Sequence, residues 1–308
     1  MMRLDSIADL NGLNAPVHLA LGVFDGVHLG HQEVIGRAVA AARKEGGQAG
    51  VLTFDPYPLR VLAPEKAPKR LLASLDHKSR ILEPLGVDFL LALPFDQKRA
   101  KVAAEDFIRE LIQAGTRTIA AGEDWRFGHG RTGDRNLLGR LAEELNFRFE
   151  AVAPVMTDGE RISSTRVRQA IRDGSLEAAR KMLGRPYTVA GKVVEGRKLG
   201  RELGFPTANL ERGEEQYPQD GVWAVRAMVK GQIRDGVANL GVRPTIDDET
   251  RTLEVHFFDE VGDLYGELLE VEFVRHLRDE RKFANLEELK GQLGKDVVSA
   301  QVVLSEGD

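Results

Sequence analysis

The sequence predicts two folds in series, an α/β domain over residues 1–184 and an all-β antiparallel barrel closed by a helix over residues 185–308. Three observations lead there. In the first half, short apolar strands alternate with amphipathic helices, the pattern of a parallel sheet covered on both faces. A helix over Leu176–Leu183 then stops at Gly184 ahead of Pro186, a helix stop followed by a breaker. Beyond that point come Val189–Val194, Val222–Val229, Ile233–Leu240, Leu253–Phe258 and Leu268–Phe273, apolar runs joined by turns such as Lys230-Gly231 and Val261-Gly262. Short strands without helices between them read as a compact barrel.

Composition narrows the classes. A length of 308 residues is comfortable for two domains. A net charge of −5, with no basic block or tail, argues against a general nucleic-acid surface. With no Cys, disulfides, thiolate metal sites and cysteine nucleophiles are excluded. The start MMRLDSIADL has no apolar signal core and no run approaches membrane-spanning length. The expectation is a cytoplasmic protein without membrane or nucleic-acid partners. Its oligomeric state is not legible.

In chain order, the apolar run Val17–Gly22 reads as a buried strand. It is followed by a turn holding Asp25, Gly26, His28, Gly30 and His31. Val34, Ile35, Ala38, Val39 and Ala42 then recur at helical spacing, so His31 falls near the first helical turn. Strand, glycine turn and helix N-terminus make an anion site. Two imidazoles three apart, with a glycine between them, suit a triphosphate, and ATP is the expected ligand. A metal pair is the rival, but HLGH lacks the four-residue spacing and glutamate of a zinc protease. Asp25-Gly26 also reads as a plain tight turn.

The strand Gly50–Phe54 ends in TFDPYP, whose prolines stop the ladder where ligands bind in open α/β sheets. A helix over 74–85, a strand over 88–93, a helix over 103–114 and a strand over 118–121 follow. The next loop, GEDWRFGHGRTGD, spells GxGxxG at Gly128, Gly130 and Gly133. Those glycines lie several residues past the strand, which weakens a dinucleotide-fold reading. Trp125 and Phe127 there suit stacking on a flat ring, with Asp124 and Arg126 near phosphates; an ordinary loop with buried aromatics explains them equally. In ISSTRVRQAI, Ser163 or Ser164 caps a helix whose start carries Thr165, Arg166 and Arg168, which by themselves suit a plain capped helix.

In the second half, GKVVEGRKLGRELGFPTANL contains Gly196, Gly200 and Gly204, a flexible flap made positive by Arg197, Lys198 and Arg201. Past Pro206, Thr207 and Asn209 lie on one side of an extended segment, so their oxygens can converge on a hard cation, for which magnesium on ATP phosphates is the natural choice. A glycine-rich hairpin loop is the plain alternative. Glu254 and His256 share one face of a strand, and a carboxylate there can accept a hydroxyl proton; a surface glutamate is the ordinary explanation. From Asn285 onward Leu286, Leu289, Leu293 and Val297 mark a closing helix.

The string FDGVHLGHQ, with ISSTRVR, GFPTAN, EVHFFDEVGDLYG and RHLRDERKF in that order, resembles the prokaryotic bifunctional riboflavin kinase/FAD synthetases over nearly the whole chain. The resemblance implies a Rossmann-like nucleotidyltransferase domain of HxGH type, followed by a six-stranded antiparallel barrel closed by a helix. The first would adenylylate FMN and the second would phosphorylate riboflavin. It implies ATP contacts in the adenylyl site from Phe24, Gly26, His28, His31, Asp124, Ser164, Thr165 and Arg168, with the histidines catalytic. In the kinase site it implies Gly191, Lys192, Gly204, Thr207 and Asn209 on ATP, Thr207 and Asn209 on Mg2+, Glu254 as base, and Arg278 with Phe283 flanking the flavin. ATP, riboflavin and FMN would be the partners. Two positions depart from the family pattern: Tyr57 stands where His is usual, and Trp125 where Phe is. An adenylyltransferase for another phosphomonoester explains HLGH and SSTR but leaves the PTAN barrel without a purpose. An aminoacyl-tRNA synthetase relative is opposed by the acidic charge. A barrel that only binds flavin is opposed by the intact Glu254 and Thr207.

Overall fold

A computed structural model describes residues 1–196, 199–211, 213–244 and 249–306; Arg197 and Lys198, expected to charge the glycine-rich loop, lie outside them. The chain divides into two compact units, Met1–Leu71 with Leu75–Ser164, and Leu72–Ser74 with Thr165–Asp308.

The first half runs β1 (Met2–Leu4), β2 (Val17–Leu21), α1 (Leu29–Glu45), β3 (Gln48–Asp55), α2 (Pro58–Leu62), α3 (Leu75–Leu82) and β4 (Phe89–Pro94). It continues through α4 (Ala104–Gln113), β5 (Thr116–Gly122), α5 (Arg135–Leu145), β6 (Arg148–Val152) and the two-residue strands β7 (Met156–Thr157) and β8 (Glu160–Arg161). Six strands form one parallel sheet in the order β1-β4-β3-β2-β5-β6. The chain winds outward from β2 through β3 to β4 and then returns to β5 on the other side of β2. The carboxyl end of β2 is therefore where the winding direction reverses, the place where open α/β sheets leave a crevice for ligands.

All five residues of β2 are buried, as a strand covered on both faces requires. Val17, Leu19 and Leu21 join Phe107, Leu111, Leu138 and Leu141 of α4 and α5 in one core, while His18, of opposite parity, comes within 3.9 Å of Glu45 on α1. Helix α5 and strand β6 were not expected from the sequence. The glycine-rich loop before them masks the start of α5, which Asp134 caps by accepting from the amides of Asn136 and Leu137.

The second half begins with α6 (Ser164–Arg172) and α7 (Leu176–Leu183). It proceeds through β9 (Thr188–Val194), α8 (Leu199–Glu202), β10 (Ala208–Leu210), β11 (Gly221–Val229), β12 (Gln232–Pro244), β13 (Glu249–Phe257), β14 (Leu268–Arg278) and α9 (Leu286–Ser305). The strands close into a six-stranded antiparallel barrel, β10-β13-β12-β11-β14-β9. Trp223 fills its interior with a ring edge on Phe273 at 5.5 Å. Asn285 caps α9 by accepting from the Glu288 amide at 2.9 Å, and Ala300 and Leu304 pack on Val222, Ala224 and Val237 of the barrel wall. The glycine-rich segment holds α8, a single helical turn. Strand β10, three residues long, is too short and polar for a periodicity to register.

Candidate functional site

The turn between β2 and α1 is held in a conformation that side chains rarely accept. Phe24, Gly26 and Val27 all have positive φ, at 51°, 81° and 44°. A β-branched residue in that region stores strain that the surroundings must over-determine. Three carbonyls of the turn each receive a side-chain donor. The Thr53 hydroxyl donates to Val23 (2.8 Å), the Ser164 hydroxyl to Asp25 (2.9 Å) and the Gln32 amide to Val27 (2.9 Å).

His28 is the N-cap of α1, its Nδ1 accepting from the His31 amide at 3.3 Å, which leaves the proton of the neutral ring on Nε2. The His28 and His31 rings stack at 3.6 Å, and Phe24 meets His31 edge-on at 5.3 Å. A Cβ on Gly30 would come within 3.2 Å of the His28 ring, so this glycine makes room for the stacked imidazoles. Burial, and then the charges of His28, Lys78 and Arg161, hold His31 well below the ordinary histidine range. At a helix N-terminus with cations nearby, ring N–H groups can donate to the oxygens of a polyphosphate.

Asp124 pairs with Arg161, and this hydrogen bond lowers its carboxyl from the usual range. Ser164 opens α6 and reaches the turn through the Asp25 carbonyl. Thr165 and Arg168 follow on the same helix, the first exposed and the second buried, and both are counted with the second compact unit. The two aromatics of this loop pack on each other. Trp125 lies flat on Phe127 at 4.4 Å, and Phe127 is buried against Phe107. A Cβ on Gly133 would lie 2.7 Å from the Phe127 ring. The GxGxxG spelling thus includes a position where close packing excludes any side chain.

In the barrel, Glu254 on β13 stands in register between Asn209 on β10 and Asn239 on β12. All three line a cavity of about 340 Å³ together with Thr207, His256, Arg278 and Phe283. Leu203, Val237, Leu293 and Val297 supply apolar wall, a mixture suited to a flat organic ring with a polar tail. His256 donates from Nδ1 to the Pro206 carbonyl at 2.9 Å, which fixes the bend that carries Thr207. Arg278 makes a two-pronged pair with Asp296 of α9, at 2.9 and 2.7 Å, and its guanidinium lies 5.9 Å from the Phe283 ring centroid. Gly191, Lys192 and Gly204 do not line this cavity. Gly191 is inside the barrel wall on β9, whereas Lys192 and Gly204 are exposed.

The sequence reading missed Lys78, Arg161, Asn239 and Asp296. Two of them had a signal. Lys78 falls on the buried stripe of α3 with Ile81 and Leu82, and Asp296 on the stripe of α9 with Ala300 and Leu304. A charge on an apolar stripe has to be paired, and asking with what would have pointed at both sites.

A family model described as FAD synthetase matches residues 11–166, and one described as riboflavin kinase matches residues 183–304. The bifunctional riboflavin kinase/FMN adenylyltransferase of Escherichia coli strain K12 is 41% identical over 286 residues, covering 92% of this chain and 91% of the relative. The Bacillus subtilis protein of the same name is 36% identical over 285 residues, covering 90% and 89%. A solved structure described as a macrolide-efflux protein from Streptococcus pneumoniae is 34% identical and superposes with a TM-score of 0.80 over 96% of both chains. Among the described residues of this chain, no helix is long and apolar enough to cross a membrane.

Proposed function

This chain belongs to the bifunctional riboflavin kinase/FMN adenylyltransferase family, and from that premise we propose which residues carry each of its two reactions. The protein phosphorylates riboflavin with ATP to give FMN and adenylylates FMN with a second ATP to give FAD. We assign the second reaction to residues 1–184 and the first to residues 185–308.

In the kinase reaction Glu254 accepts the proton of the riboflavin 5′-hydroxyl. The hydroxyl oxygen bonds to the γ-phosphorus, and the bond to the β–γ bridging oxygen breaks to release ADP. The observation that carries this assignment is the register of Glu254 between Asn209 and Asn239 at the wall of one cavity. Arg278 and Phe283 take the flavin side of the cavity. The Thr207 hydroxyl and the Asn209 amide oxygen are hard donors of the kind Mg2+ prefers, and they open on the same space as Glu254. When bound, Mg2+ would neutralise charge on the transferring phosphoryl group. Gly191, Lys192 and Gly204 stay with the ATP side as the resemblance assigns them, without support from the cavity lining.

In the adenylyl reaction an FMN phosphate oxygen bonds to the α-phosphorus of ATP and pyrophosphate leaves, with no covalent enzyme intermediate. His28, His31, Ser164 and the amides of the Phe24–Gly26 turn receive the phosphates, with Asp124 beside them, and Thr165 and Arg168 stay with ATP as the resemblance assigns them. Catalysis is then positioning plus charge stabilisation. The substrates are small molecules, and the reactions belong in the cytoplasm, where ATP is supplied.

A reciprocal pair of variants tests the assignment. Glu254→Gln loses FMN formation by about 10²–10⁴-fold, the usual worth of a general base, while still converting FMN to FAD. His28→Ala does the reverse. Chromatography of the flavins after incubation with ATP, Mg2+ and either riboflavin or FMN reads both. A folded variant that loses both activities, or neither, contradicts the division.

A further inference from the structure

Each turn carbonyl that receives a side-chain donor is satisfied by a neutral group, yet the first of them has a second, charged partner. Lys78, buried on α3, donates from Nζ to the Val23 carbonyl at 2.8 Å and lies 3.4 Å from the Thr53 hydroxyl, which donates to the same carbonyl. Thr53 and Lys78 together fill both lone pairs of that carbonyl, so the turn is held there by one neutral and one cationic donor. Burying a cation is costly, and burial does push the Lys78 ammonium below the usual lysine range, with Asp25 and Asp55 pulling it back. The Lys78 Nζ sits beneath the strained turn, and its charge bears on His31, with no salt bridge to Lys78 among the described residues.

We propose that Lys78 is a positioning residue of the adenylyl-transfer site. It pins the start of the HLGH turn through the Val23 carbonyl and places a buried positive charge beneath it. That charge favours the incoming nucleotide polyphosphate and opposes protonation of His31. Among the described residues Lys78 donates to Val23 and Thr53 and to neither histidine, so it acts through the turn and through space. The groups that bear on His31 are His28 and Lys78 from the turn and α3, and Arg161 from β8, itself paired with Asp124; Asp25 and Asp55 face Lys78. The inference rests on the assignment of the adenylyl site to this turn.

Lys78→Gln separates charge from hydrogen bonding, because glutamine still donates. The expected result is a fall of at least about tenfold in kcat/KM for FAD formation, with riboflavin phosphorylation unchanged and the His31 midpoint, followed by NMR, moved upward. Lys78→Arg keeps the charge, and should keep the low His31 midpoint and recover most of the activity. Should Lys78→Gln fail to fold, the parent protein still decides: a His31 midpoint at or above the ordinary histidine value overturns the proposal. Parental kcat/KM in Lys78→Gln overturns it as well, as does an arginine variant as impaired as the glutamine one. His28→Ala run alongside separates the two levels. If it keeps FAD formation, the site assignment has failed; if it loses it while Lys78→Gln does not, only the role of Lys78 has.

Discussion

Replacing Asp296 by Asn removes one charge from the pair that ties α9 to β14 and leaves the side-chain volume almost unchanged. Asp296 accepts from Arg278 at 2.9 and 2.7 Å and from the Gln292 amide at 2.7 Å, and its side chain is 4% exposed. Breaking a fully buried pair by neutralising one partner costs about 3–5 kcal/mol. The Arg278 side chain is 21% exposed, however, so water partly solvates the stranded guanidinium, and we expect about 2 kcal/mol. For a chain of this size that corresponds to a fall of about 4–8 °C in the unfolding midpoint. The same change frees Arg278 from its place near Phe283, so the KM for riboflavin should rise by about tenfold while kcat, which depends on Glu254, changes little. Calorimetry and steady-state kinetics read the two effects, and conversion of FMN to FAD serves as the internal control. Melting within about 1 °C of the parent, together with an unchanged KM for riboflavin, would show that the pair neither braces the barrel nor orients the flavin side of the cavity.

Thr207→Ala should raise the Mg2+ concentration needed for half-maximal riboflavin phosphorylation and leave FMN adenylylation at the parental requirement; an unchanged requirement would remove Thr207 from the metal site. Gly133→Ala forces a methyl to within 2.7 Å of the buried Phe127 ring and should cost about 1–3 kcal/mol of stability by denaturant titration. His18 is fully buried with Nδ1 at 2.9 Å from the Thr118 hydroxyl, and burial lowers it from its ordinary value of 6.5. Its neutral form therefore contributes stability that is present above 6.5 and is lost as pH falls through the lowered value. His18→Gln should flatten that limb of the stability–pH curve, and an equally steep limb would exclude His18 as its source.

Much of the fold follows from periodicity alone. The buried run of β2, the helical spacing behind His31 and the strand-rich second half are local patterns, and each corresponds to an element found in place. The motif residues were legible because they are local too: HLGH sets its own N-cap, and Thr207 and Asn209 alternate along one extended segment. Where the pattern was short or interrupted it failed. Three residues of β10 carry no period, and the start of α5 hides behind a run of glycines.

What the sequence determined by itself, then, is the order of elements and the identity of the groups able to do chemistry, since both depend on neighbours a few positions apart. Only the tertiary structure decided which of those groups share a site. Barrel closure sets Glu254 between two asparagines from different strands, and the parallel sheet lays Thr53 and Lys78 under a turn that precedes them by more than a strand. The same folding turned the ring of Phe127 inward against Phe107. Pairing between distant segments is fixed by backbone hydrogen bonding and by the need to bury apolar faces and compensate buried charge, and no window of sequence contains both partners of such a pair.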